Sequence, residues 1–242
     1  MPIQLANAAD RALALSALYR LASEALAYPM ASNVARLRNE DLPFALAVAG
    51  NLSESLRRSV EDVATAFRGV RRAQLEERFR GAFSHVHSAD CPPFETDLTT
   101  KDVFRQSRDL ADLAGFYRAF GLEGSDEERE RPDHVSVELE FLHVLSYKEA
   151  WAAAGGDEAG ARICRETRKA FLRDHSLRWM PEFARRLEAV ATGPYAAVAR
   201  LVAGLCQDEA ASFGLSLDGP DPEPGVRPPM LEDAPAGCEE RT

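Results

Sequence analysis

The sequence predicts an all-α protein, a single domain of about nine helices. Two observations carry the helical class: apolar residues recur at three- and four-residue steps almost everywhere, and strand-like alternation is scarce. A third is scale. The 242 residues, 45% of them hydrophobic, can enclose a sizeable core in one domain.

The first helix shows Leu15, Leu18, Ala22 and Leu26 on one face and stops at Tyr28-Pro29, because proline disfavours a helical residue before it. A shorter second helix is expected between Val34 and Ala49. Leu52, Leu56, Val60, Val63 and Phe67 mark a third, and Leu75, Phe79, Phe83 and Val86 a fourth. The stretch from His87 to Phe94 contains Pro92-Pro93 and cannot continue as regular helix. A fifth helix follows with Val103, Leu110, Leu113, Tyr117 and Phe120, closed by Gly121. Glu123 to Arg131 is almost entirely charged and reads as a solvated loop.

The sixth helix opens at Pro132-Asp133-His134, with Asp133 the expected N-cap. It is apolar on two faces, one with Val135, Leu139, Leu142 and Leu145, the other with Val137, Phe141 and Val144. Such a helix is usually buried among others, so it is the expected centre. Gly155-Gly156 ends it. Ile163, Ala170 and Phe171 mark the seventh helix, and Leu177, Met180, Phe183, Leu187 and Val190 the eighth. Pro194 opens the last, with Val198, Leu201, Leu205 and Phe213. Trp151, Trp179, Phe171 and Phe183 are the expected core aromatics.

Residues 1–217 therefore form the predicted helical domain, and 218–242 a tail of different character. The tail holds six of the chain's 14 prolines, with seven acidic and two basic residues. With few large apolar side chains it is expected to be disordered. It carries half of the formal net charge of −10. An acidic surface argues against nucleic acid or an anionic membrane as the main partner and suits a cationic ligand. No run approaches the roughly 18 apolar residues of a membrane span. The start lacks the basic and apolar regions of an export signal, and Cys91, Cys164, Cys206 and Cys238 are unpaired in pattern. The expectation is a cytoplasmic protein with reduced thiols.

Four features could carry chemistry. His85 and His87 precede Cys91, with Glu95 nearby, and zinc accepts such ligands. Two histidines two positions apart point about 200° apart on a helix, and no second group completes a shell. A polar helix end is the favoured account, so no metal is expected. Asp133-His134 could be an acid–base dyad, but adjacent side chains rarely reach the needed geometry, and capping by Asp133 is preferred. No nucleophile motif and no phosphate-cradling loop is present, Ala154-Gly155-Gly156-Asp157 being a turn. Glu138 and Glu140, in the first turns of the sixth helix, suit the helix dipole or, equally, an arginine-bearing ligand beside an apolar groove.

Together the loop and the hinge carry a resemblance. Cys91-Pro92-Pro93-Phe94-Glu95-Thr96 resembles the P-[YF]-E-[ST] loop of the TorD/DmsD/NarJ-like redox-enzyme maturation chaperones. Glu130-Arg131-Pro132-Asp133-His134 is similar to that family's E-x-P-D-H hinge, and Glu138-Leu139-Glu140-Phe141 to the helix after it. Phe171, His175, Trp179 and Phe183 match its F-x3-H-x3-W-x3-F pattern, with Ser176 where leucine is usual. The run from Phe104-Arg105-Gln106 through Phe116 to Leu122 is most similar to chaperones of type II dimethyl-sulfoxide-reductase enzymes.

This resemblance implies a TorD-like helical bundle and a cytoplasmic, system-specific chaperone. Such a chaperone binds a molybdoenzyme catalytic subunit, by its twin-arginine leader or as apoprotein, and assists molybdenum cofactor insertion before export. It implies no catalytic residues and no stably bound cofactor, with at most transient contact with molybdopterin guanine dinucleotide. The client-binding residues it implies are Pro92, Phe94 and Glu95 in the loop, Pro132, Asp133 and His134 at the hinge, and Glu138 behind it. In that mechanism loop and hinge border a groove where Phe94 receives the apolar part of a leader and carboxylates meet its arginines. Nothing in the sequence chooses between monomer and dimer. The alternatives are a small metal-dependent or hydrolytic enzyme using His85, His87, Cys91 and His134, or a helical adaptor without a molybdoenzyme client.

Overall fold

A computed structural model describes residues 8–83, 91–122 and 130–217. His85, His87, Val86, most of the charged loop before Glu130 and the whole tail from Asp218 lie outside them. The described residues are helical nearly throughout, and their only β pairing is a single antiparallel bridge between Phe94 and His134.

Helix α1 spans Ala8–Leu26 and ends where Pro29 requires. The second expected helix starts three residues early. It runs as α2 (Ala31–Arg36), a π-helical turn over Leu37–Asp41, α3 (Leu42–Val48) and a 3-10 turn to Asn51. Pro43 supplies no backbone N–H, and the widened turn before it accommodates that lost donor within one continuous stretch. Helices α4 (Glu54–Phe67) and α5 (Arg72–Phe83) follow, the first capped by Ser53, whose hydroxyl accepts from the Leu56 N–H. A five-residue helix, α6 (Glu95–Thr99), stands where only loop was expected. Helix α7 (Val103–Ala119) is closed by Gly121 at φ +73°, a conformation that costs glycine little.

Helix α8 (Val135–Ala154) is the expected central element. It packs against α1 on one side and against α9 (Glu158–Asp174) on the other. The α1 contact is antiparallel: Ser23 Oγ donates to the Ser136 carbonyl at 2.8 Å, and Ser16 meets His143 two turns further along α8. After a 3-10 turn at Ser176–Arg178, α10 (Met180–Val190) and α11 (Pro194–Phe213) pack together, and α11 also covers α4. Phe116 and Tyr117 of α7 reach the same core, meeting Phe141 and Phe171 edge-on or tilted at ring separations of 5.0–6.3 Å.

Polar groups also tie these layers. Arg168 of α9 is buried and bonds Glu149 of α8, Ser146 Oγ at 3.2 Å and Glu209 of α11 at 3.0 Å. One core expectation fails. Trp151 is 73% exposed, because it lies with Tyr147 on the strip of α8 that neither α1 nor α9 covers. Trp179, Phe171 and Phe183 are buried as expected. Among the described residues no helix is long and apolar enough to cross a membrane.

Candidate functional site

Two segments, some forty residues apart in sequence, are sewn together by backbone. The Glu95 N–H donates to the Asp133 carbonyl at 2.9 Å, and the Val135 N–H donates to the Pro93 carbonyl at 2.9 Å. Pro92-Pro93 cannot continue a helix, and this is the residual pairing such a chain can make beside a helix start. Phe94 and His134 face each other within the bridge, ring centroids 5.2 Å apart. Tyr117 anchors the hinge from α7, its hydroxyl donating to the Pro132 carbonyl at 2.7 Å.

The cap of α8 is not Asp133. His134 occupies that position, and its Nδ1 accepts from the Ser136 N–H at 3.2 Å, with the Ser136 hydroxyl at 2.7 Å. A backbone N–H can only donate, so Nδ1 carries no proton. Burial pushes the imidazole pKa down to about 4, against the pull of Asp133. Asp133 was displaced from capping by a better use of its charge. It accepts from the Thr96 hydroxyl at 2.7 Å and the Thr96 N–H at 3.3 Å, and it takes a two-pronged grip from Arg131. With the carboxylate on Thr96 and Arg131 and the imidazole nitrogen on Ser136, the two do not form an acid–base dyad.

Behind this surface lies a buried polar layer. Glu95 meets His175 Nδ1 at 3.0 Å, and the other ring nitrogen, Nε2, reaches out to the exposed Asp112 at 3.2 Å. Burial alone would lower the His175 pKa, but the Glu95 hydrogen bond and the charges of Glu95 and Asp112 together carry it above its ordinary value. Glu138 accepts from the Ser176 hydroxyl at 2.8 Å and the Trp179 indole at 3.1 Å. Burial and the nearby Glu95 charge raise its pKa well above the usual carboxylate range, so it favours the neutral acid. Serine at position 176 thus supplies a donor that leucine would not.

The sequence-predicted residues therefore fall into two sets. Pro92, Phe94 and Pro132 are half-buried at the surface. Glu95, Asp133 and Glu138 have no exposed area, His134 has almost none, and each carboxylate is already bonded within the protein. Glu140 diverges toward Glu24, Arg20 and Arg36 on the α1 side. The Cys91 thiol is buried and points to the Phe183 carbonyl at 3.9 Å, away from solvent. His85 and His87 lie outside the described residues. A cavity of about 290 Å³ lies elsewhere, between α3 and α4, lined by Leu42, Leu46, Phe67 and Arg68 among others. Missed from sequence were Thr96, Arg131 and the His175–Glu95 pair. The spacing of Phe171, His175 and Trp179 on consecutive turns was the signal for the last.

Comparisons with known proteins bear on this site. Residues 49–185 match the model of the nitrate reductase delta subunit family. The selenate reductase assembly chaperone protein of Thauera selenatis is 42% identical over 80 residues, covering 33% of this chain and 40% of that one. The chlorate reductase assembly chaperone protein of Ideonella dechloratans is 39% identical over 83 residues, 34% and 42% of the two chains. These matches span about two fifths of each relative. The chaperone protein TorD of Photobacterium profundum is 26% identical over 159 residues, 65% of this chain and 71% of that one. A crystal structure described as a proposed redox enzyme maturation protein of Archaeoglobus fulgidus superposes with a TM-score of 0.52. It is 21% identical, covers 79% of this chain and 93% of its own, and bears on the fold alone.

Proposed function

This chain belongs to the nitrate reductase delta subunit family, and from that premise we propose that it is a system-specific chaperone for the catalytic subunit of a molybdoenzyme. The observation that carries the reading is the similarity to chaperones named for the assembly of selenate and chlorate reductases. In this reading the chaperone acts in the cytoplasm, engages the client's twin-arginine leader or its apoprotein, and keeps it open for cofactor insertion before export. Molybdopterin guanine dinucleotide is the client's cargo, touched only in passing, and the chain performs no catalysis of its own.

Phe94, with Pro92 and Pro132, offers the half-buried apolar surface on which a leader segment docks. Asp133 and His134 hold that surface in shape through Thr96 and Ser136, while Glu95 and Glu138 support it from behind. Apolar contact supplies most of the affinity and charge the selectivity. The test is co-purification of the tagged chain with a molybdoenzyme large subunit of its source cell, followed by assay of that subunit's pterin content in cells lacking the chain. A fully loaded, exported enzyme in such cells would sink the proposal. For the site, calorimetry with the client's leader should show Phe94→Ala weakening binding about tenfold, the loss of one buried aromatic contact of roughly 1.4 kcal/mol. Unchanged affinity in the folded variant would remove Phe94 from the surface.

A further inference from the structure

We propose that Asp133, Thr96 and Phe94 form a guanidinium receptor, that Arg131 fills it as an internal stand-in, and that an arginine of the client takes its place on binding. This rests on the chaperone reading for the source of the incoming arginine, and on geometry for the receptor.

The receptor has three walls. Arg131 Nε donates to one oxygen of Asp133 at 3.0 Å, and a terminal nitrogen donates to the other at 2.8 Å. The same nitrogen donates to Thr96 Oγ1 at 2.8 Å, and the guanidinium carbon lies 4.2 Å from the centre of the Phe94 ring. Thr96 uses its hydroxyl in both senses, giving its proton to Asp133 and receiving one from Arg131. A fork on a carboxylate with one face on an aromatic ring is recognition particular to arginine. Lysine, a point charge, cannot reproduce it.

The two partners differ in how firmly they are held. Asp133 has no exposed side-chain area, whereas that of Arg131 is 45% exposed. If Arg131 swings out, Asp133 still keeps the hydroxyl and the backbone N–H of Thr96. The carboxylate is therefore never stripped of donors during an exchange, which is the usual obstacle to opening a buried ion pair. An internal arginine also competes at high effective concentration. A free arginine cannot win that competition, but one flanked by apolar residues gains contact with Phe94, Pro92 and Pro132. Selectivity for an arginine next to an apolar run follows directly from the need to beat Arg131.

The experiment uses the full chain and a fluorescein-labelled peptide, Arg-Arg-Ala-Phe-Leu, read by anisotropy. Arg131→Ala should bind the peptide at least about tenfold more tightly than the parent, since the competitor is gone. A Lys-Lys counterpart should gain little, and Asp133→Asn added to Arg131→Ala should abolish the gain. Where Arg131→Ala folds poorly, Arg131→Lys keeps a charge beside Asp133 without the fork and should show a smaller rise of the same sign. Folded Arg131 variants that bind no tighter than the parent, or a gain that survives Asp133→Asn, overturn the proposal. Propylguanidinium should also raise the Tm of Arg131→Ala where propylammonium does not, and equal effects of the two would likewise remove the receptor. Co-purification of the client with unchanged peptide affinity in these variants removes only the receptor. Tightened peptide binding without any client removes only the chaperone reading.

Discussion

His134 caps α8 only while its Nδ1 is unprotonated, because the Ser136 N–H needs an acceptor there. Its folded pKa of about 4 lies below the ordinary 6.5. As pH falls from 6.5 toward 4, the unfolded chain takes up a proton that the folded chain refuses, so stability falls, by up to about 3 kcal/mol. Urea unfolding across this range should show that slope. His134→Asn, a good cap that does not titrate, should flatten it. A slope that persists unchanged in the variant would place its origin elsewhere. His175 works in the opposite sense. Its raised pKa means that its contribution is complete below pH 6.5 and is lost as pH rises through the folded value. The two histidines therefore set acid and alkaline edges to the stability of the same surface.

At the scale of elements, α8 shows how burial divides one helix. Leu142 has no exposed area and belongs to the apolar core, so Leu142→Ala should cost about 2–5 kcal/mol in urea unfolding, the range for a core cavity. Trp151, further along the same helix, faces solvent, and Trp151→Ser should change stability by no more than about 0.5 kcal/mol. A large loss there would mean that the exposed strip is covered in solution. Helix α7 is divided in the same way. Its last turns carry Phe116 and Tyr117 into the core, whereas Phe104 near its start is 88% exposed.

Across the whole molecule, Arg168 joins α8, α9 and α11 through Glu149 and Glu209. Removing the arginine alone leaves two buried carboxylates with only the longer contacts to Arg165, at 3.8 Å from Glu149, and Arg11, at 3.9 Å from Glu209. Arg168→Leu should therefore cost about 3–5 kcal/mol at neutral pH, more than most single substitutions. The loss should shrink in acid as Glu209, whose carboxyl is already pushed upward by burial, takes up a proton. Calorimetric unfolding at two pH values checks both parts, and an equal loss at each would deny the electrostatic cause.

The helical class, the order of the helices and the central place of α8 were legible in the sequence, because apolar spacing along a helix is a local property of the chain. The loop and hinge motifs were legible too, as patterns. Their partnerships were not. Whether Asp133 caps a helix or holds Arg131 and Thr96 depends on which segment arrives beside it, and Thr96 arrives from nearly forty residues away. Glu138 and Glu140 read alike in sequence, yet one is sealed against Trp179 and Ser176 while the other lies on the α1 side. Trp151 reads as a core residue until the packing of α1 and α9 leaves its strip uncovered. Periodicity says which residues share a face. Only the assembled helices decide what that face meets, and with it which charges stay in water and which must find a partner inside.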